Sequence, residues 1–115
     1  MKTRRDDVIL VLFPNSDLRT AKRRPALILQ RDNLGSGIDQ IIAAMISSNP
    51  ARAGHPSRVA VPLTSAASKA SGLRLDSWIM TDNLATVLGT EIDSTIGRFP
   101  AMSDVDIALK YTLAL

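Results

Sequence analysis

The sequence predicts a mainly β fold, a small β-barrel finished by one C-terminal helix. Short apolar runs rich in Val and Ile recur along the chain, each bounded by Pro, Gly, Asn or Asp. Helical spacing of apolar residues is clear only after Ser103. A chain of 115 residues holds one core, so residues 1–115 are expected to form a single domain.

Residues 7–13 are almost continuously apolar and β-branched, which suits a strand buried on both sides or one in a small barrel. Pro14 and Asn15-Ser16-Asp17 end it. Residues 25–30 form a second strand, and Lys22-Arg23-Arg24 is expected to close the loop before it. Residues 38–47 fit helix or strand by periodicity, and the turn signals around them favour strand. Residues 49–57, with Pro50, Gly54 and Pro56, read as a loop. Arg58–Leu63 alternates around Val59, Val61 and Leu63, and Pro62 marks it as an edge strand. Residues 64–73 are a loop or one helical turn. Asp76–Thr81 is a further strand, with Trp78 in the core or at a dimer interface. Residues 86–99 give one or two short strands broken at Gly89. In the terminal helix Ser103 is the expected cap, with Asp104 and Asp106 in the first turn, where the helix dipole favours negative charge. Val105, Ala108, Leu109, Thr112 and Leu113 fall on one face.

Composition narrows the function. Apolar residues make up 45% of the chain, which excludes a disordered protein, and no apolar run has the roughly 20 residues of a membrane span. The charged start lacks the pattern of a signal peptide, so the expected compartment is cytoplasmic. With no cysteine there is no disulfide, thiolate metal site or cysteine nucleophile. Residues 1–31 hold eight Lys/Arg against three Asp, a net +5 in a chain of net +3. That asymmetry is the footprint of a polyanion binder or of a solvated basic face. Arg19, Lys22, Arg23 and Arg24 lie close enough in sequence to meet consecutive phosphates.

The side-chain inventory restricts the chemistry further. His55 is the only histidine, placed between Gly54 and Pro56, so neither a two-histidine acid–base pair nor a buried Ser–His–Asp triad suits this chain. No Asp/Glu cluster has metal-ligand spacing, and Gly35-Ser36-Gly37 lacks the lysine and helix of a phosphate loop. Arginine, aspartate and hydroxyls remain. They suffice to cleave RNA through its own 2′-hydroxyl, where the protein orients the phosphodiester and stabilises the phosphorane. A guanidinium matches two phosphoryl oxygens at once, but its high pKa makes it a poor base.

The sequence also resembles the MazF/PemK family of toxin endoribonucleases, in five segments that occur in the family's order. The first two are the strand ending at Phe13-Pro14 and Arg24-Pro25-Ala26-Leu27-Ile28-Leu29. Ile41–Ser47 is similar to a third strand that ends in a hydroxyl, and Val59-Ala60-Val61-Pro62-Leu63 to a fourth. Gly72-Leu73 with Asp76-Ser77-Trp78-Ile79 and Asp82-Asn83-Leu84-Ala85-Thr86-Val87 resembles the family's fifth-strand segment. Ile96-Gly97-Arg98-Phe99 with Ser103-Asp104 resembles its lead into the last helix.

The resemblance implies an SH3-like barrel, a homodimer, and a sequence-specific, ribosome-independent endoribonuclease acting on single-stranded RNA without metal or cofactor. It further implies a cyclic 2′,3′-phosphate product and an acidic antitoxin protein that fills the RNA groove. Carried over residue by residue, it makes Arg24 and Ser47 the catalytic pair. It gives RNA contacts to Asn15, Arg19, Lys22, Arg23, Asp82 and Asn83. Some PemK members use instead an Arg and an Asp two residues apart on the fifth strand, with a His in the first loop. Here those positions read Met80 and Asp82, and the first loop has no His. The family's Gln-x-Arg-Thr reads Asn83-Leu84-Ala85-Thr86, with one arginine lost. Two other readings are a catalytically silent homologue that binds RNA or antitoxin, and a gyrase-poisoning toxin of the CcdB type. The latter's Trp-Gly-Ile tail is missing after Leu113.

Overall fold

In the computed structural model, which describes residues 3–115, the apolar runs become six antiparallel strands. Lys2, one of the N-terminal cations, lies outside the described residues. The strands are β1 (Asp7–Pro14), β2 (Ala21–Ile28), β3 (Gln40–Ser47), β4 (Arg58–Val61), β5 (Ser77–Leu88) and β6 (Ile92–Arg98). Two helices accompany them, α1 (Ala66–Ser71) and α2 (Met102–Leu113). The sheet order is β4-β5-β3-β2-β1-β6. Its ladder does not close: β4 and β6 are free edges, so the barrel is open and its name applies loosely. β4, with Pro62 just beyond it, is the edge strand that the proline predicted.

The sheet curls, so that β1 also packs against β5, three places away in the order. Both its faces are therefore apolar. On one face Val8, Leu27, Ala44, Ile46, Val61 and Ile79 pack with Phe99 and with Val105 and Ala108 of α2. On the other Ile9, Val11, Phe13, Ala26, Ile28, Ala43, Met45 and Met80 fill the hollow of the curl. Strand alternation sends Ile9, Val11 and Phe13 of β1 into the hollow, while on its other face only Val8 is fully buried, Leu10 is half-buried and Leu12 is exposed, so the expected burial on both sides holds only at the start of the strand.

Three local expectations change. The Lys22-Arg23-Arg24 run is not loop but strand: β2 starts at Ala21, and Lys22, Arg23 and Arg24 pair with Phe13, Leu12 and Val11. A tight connection at Asn15–Thr20 makes this possible, because it consumes fewer residues than a long loop. The residue preceding α2 is Ala101, and Ser103 lies inside the first turn with Asp104. Leu113 of the proposed buried face is exposed, while Val105 and Ala108 carry the contact. Residues 64–73 do hold a helix, α1, started by Ser65, whose hydroxyl accepts the Ser68 N–H at 3.1 Å.

Two glycines of the resembling segments have a packing reason. Gly72 ends α1 at φ 76°, where a side chain is strained, and a Cβ there would meet the Ile96 carbonyl oxygen. A Cβ on Gly97 would run into the backbone of Ala70 and Ser71. The end of α1 therefore lies directly on β6, backbone against backbone. Among the described residues no helix is long and apolar enough to cross a membrane.

Candidate active site

The site grows from the β1–β2 connection. Asn15 and Thr20 close it, the Asn15 N–H donating to the Thr20 carbonyl at 2.9 Å. Asp17 then pins the tip: its carboxylate accepts the Arg19 N–H at 2.9 Å, the Thr20 N–H at 3.1 Å and the Thr20 hydroxyl at 2.9 Å. The backbone bond from Arg19, then those from Thr20, hold the Asp17 carboxyl below the usual aspartate range. The tip is thus fixed by short-range polar bonds alone, since most of its residues are exposed.

Arg24 stands four residues into β2, on the face that carries Ala26 and Ile28. One terminal N–H group donates to the Asn15 side-chain oxygen at 3.2 Å. Its Nε is buried and has no acceptor. Among the described residues Arg24 makes no ion pair. It lines a cavity of about 410 Å³ together with Asn15, Asp17, Met45, Arg52 and Asn83.

Ser47 is the last residue of β3 and half-buried, its hydroxyl accepting the Asn49 N–H at 3.1 Å. The β2–β3 ladder pairs Ile28 with Ala43, Leu27 with Ala44 and Ala26 with Met45, and stops there. The next same-face position along each strand is Arg24 and Ser47. The two lie on one face, beyond the last rung, where the strands part. Ser47 does not line the cavity; Met45 does.

The other predicted contacts divide. Arg23 faces away from Arg24 by strand alternation, and its guanidinium is 3.9 Å from Asp93. Lys22 shares Arg24's face and is exposed, and Arg19 is exposed at the tip. Asp82 and Asn83 belong to three residues of β5, 81–83, that bulge out of the ladder where pairing jumps from Ala44–Leu84 to Met45–Met80. Asn83 reaches the cavity and touches the Met45 sulfur at 3.5 Å. Asp82 turns to Arg58 of β4, accepting from its NH2 group at 2.8 Å and from Nε at 3.3 Å. Partial burial pushes the Asp82 carboxyl up, but the hydrogen bond and charge of Arg58 outweigh it and the net direction is down. Met80, at the PemK arginine position, is buried in the second core, and Ala85 is half-buried opposite Ala43.

Sequence reasoning missed Arg52 and Arg58. Arg52 ends a 3-10 turn at Pro50–Arg52, for which Asn49-Pro50 was a readable start signal. Arg58 is brought to Asp82 by β4–β5 pairing, which no local pattern announces. His55 is exposed, its Nδ1 2.7 Å from the Ser57 hydroxyl and its ring edge-on to Tyr111. Among the described residues no three His, Asp or Glu side chains gather as metal ligands.

Fold and cavity together define a small antiparallel-sheet protein that presents arginines and amides in one depression, chemistry suited to a phosphodiester. The chain belongs to the PemK-like, MazF-like toxins of type II toxin–antitoxin systems, whose family pattern matches residues 4–113. It is 36% identical over 107 residues to "Endoribonuclease MazF6" of Mycobacterium tuberculosis, covering 90% of each chain. The same identity and coverage hold for "Endoribonuclease MazF2" of Mycobacterium bovis. Among solved structures it is similar to the Mycobacterium tuberculosis toxin MazF-mt6, with TM-score 0.74, 22% identity and coverage of 95% and 97% of the two chains. It is also similar to a mycobacterial endoribonuclease solved with its cognate antitoxin, with TM-score 0.76, 20% identity and coverage of 99% and 97%. A MazF from Deinococcus radiodurans matches with TM-score 0.76 at 17% identity, over 100% and 99% of the chains.

Proposed function

We propose that this chain, folded as one domain, is a sequence-specific endoribonuclease toxin that cleaves single-stranded RNA in the cytoplasm and is neutralised by an acidic antitoxin. One observation carries the chemistry: Arg24 lines the cavity, is free of any ion pair among the described residues, and keeps a buried Nε–H without an acceptor. An unmet buried donor costs about 1–3 kcal/mol, and a phosphoryl oxygen would satisfy it. The 2′-oxygen of the RNA bonds to phosphorus, the P–O5′ bond breaks, the 2′-proton leaves and O5′ gains one. The products are a 2′,3′-cyclic phosphate and a 5′-hydroxyl. Arg24 stabilises the phosphorane, and the Ser47 hydroxyl holds a phosphoryl oxygen. Asn15 and Asn83 contact the strand from the cavity wall. Arg19, Lys22 and Arg23 supply backbone charge, and Asp82 acts through Arg58. Incubation with a long unstructured RNA in EDTA, followed by mapping of the cut ends, tests the reading. Discrete cuts bearing cyclic phosphates are expected. Cleavage that requires added magnesium would reject the metal-free route.

A further inference from the structure

The cavity's second guanidinium has no role in the scheme above. We propose that Arg52 binds the phosphodiester next to the scissile one, so that the cavity grips two successive phosphates of single-stranded RNA; this rests on the ribonuclease reading. Arg52 is placed by a turn held at several points. Asn49 accepts the Ala51 N–H on its side chain and the Arg52 N–H on its carbonyl, both at 3.0 Å. Pro50 restricts the backbone at the first position of the turn. The Arg52 carbonyl accepts from Arg58 at 3.5 Å, and Arg58 is itself fixed on Asp82. The backbone is anchored while the guanidinium makes no ion pair among the described residues. Asp17 shares the cavity, but its carboxylate is taken by the Arg19 and Thr20 donors of its own loop.

The cavity lining sets two guanidinium charges against the single carboxylate of Asp17, so the space keeps net positive charge and an anion bound between the two arginines is attracted by both. A volume of about 410 Å³ falls in the range that accepts a ligand of nucleotide size rather than one phosphate group. Arg24, beside the parting ends of β2 and β3, takes the scissile group; the neighbouring phosphate falls to Arg52. Such a contact holds register along the strand without reading its bases.

The test uses a fully 2′-O-methylated single-stranded oligoribonucleotide of mixed sequence, which binds without being cut. Its affinity is measured against salt concentration for the wild type, Arg52→Ala and Arg52→Lys, beside cleavage kinetics on the unmodified RNA. Arg52→Ala should bind several-fold more weakly, with the slope of log affinity against log salt lower by about 0.7. KM should rise with kcat near the wild-type value, because the contact serves ground and transition states alike. Arg52→Lys should keep the salt slope. Unchanged affinity and slope in Arg52→Ala, with Arg24→Ala inactive, would overturn the second subsite and leave the ribonuclease reading standing. A loss of kcat with KM and slope unchanged would also overturn it. Full cleavage by Arg24→Ala, or a wild type that neither binds nor cuts, would bring down the ribonuclease reading and this subsite together.

Discussion

At the scale of single residues the proposed cleavage assigns its chemistry to Arg24 and Ser47, an assignment that substitution tests directly. Arg24 is anchored through Asn15 and through β2, so its removal deletes a charge without opening the core. Arg24→Ala should lower cleavage by at least about 100-fold with the circular dichroism spectrum intact. Ser47→Ala should weaken cleavage strongly, and Ser47→Thr should preserve it, because threonine keeps the hydroxyl and restricts its rotamer. A fully active, folded Arg24→Ala protein would sink the assignment. Asp82 makes a separate prediction about acid stability. Its carboxyl is held low by Arg58 against partial burial, so the folded state favours the ionised form. The pair's contribution is present above an ordinary aspartate pKa, about 4, and is lost as pH falls through the lower folded value. Melting temperature measured against pH should therefore fall less steeply in that acid window for Asp82→Asn than for the wild type.

At the scale of elements, alternation in β2 divides the cations that the sequence groups together. Lys22 and Arg24 share one face and Arg23 takes the other. Lys22→Ala should flatten the salt dependence of RNA binding more than Arg23→Ala. Equal effects would mean that RNA lies along the strand edge and meets both faces. The contact of α1 with β6 sets a packing test far from the cavity. Gly97→Ala forces a methyl against the backbone of Ala70 and Ser71, where no flexible side chain can yield. A loss of about 1–3 kcal/mol is expected from overpacking, read as a lower urea midpoint with an unchanged slope. Cleavage measured well below the new midpoint should stay near wild type.

For the whole molecule, exposed apolar surface and unpaired charge point to partners. Ile107 and Tyr111 lie on one exposed side of α2, 69% and 59% accessible, and Leu12 and Ile42 are exposed on the sheet. We expect a dimer at micromolar concentration by sedimentation, and a stable monomer there would count against a two-chain RNA surface. Lys22 carries no ion pair among the described residues, and Arg23 has only a long one to Asp93. Making both Glu should weaken rescue of toxicity by an acidic antitoxin, since attraction becomes repulsion. Undiminished binding by that double variant would place the antitoxin elsewhere.

The sequence by itself determined the β class, the apolar runs on which the strands are built, the terminal helix and the edge position of β4. It did so because period and turn chemistry are local, and each run was bounded by residues that break regular structure. But it ended the fifth strand at Thr81, whereas β5 runs on to Leu88 and takes in the first residues of the 86–99 run. It also singled out Arg24, through its place before Pro25 at the start of an apolar run. The tertiary structure decided what depends on pairing between distant segments. Only the β1–β2 ladder shows that Lys22, Arg23 and Arg24 lie in a strand, because polar residues on an exposed strand end look like loop until a partner supplies their hydrogen bonds. Only the break in the β3–β5 ladder lifts Asp82 and Asn83 out of the sheet, turning one to Arg58 and the other to the cavity. Arg52 reaches that cavity from a turn after β3, and no spacing along the chain relates it to Arg24, 28 residues earlier. Charge and hydrogen-bonding groups were legible as an inventory; which of them share one space was fixed by where the curled sheet brings its strand ends.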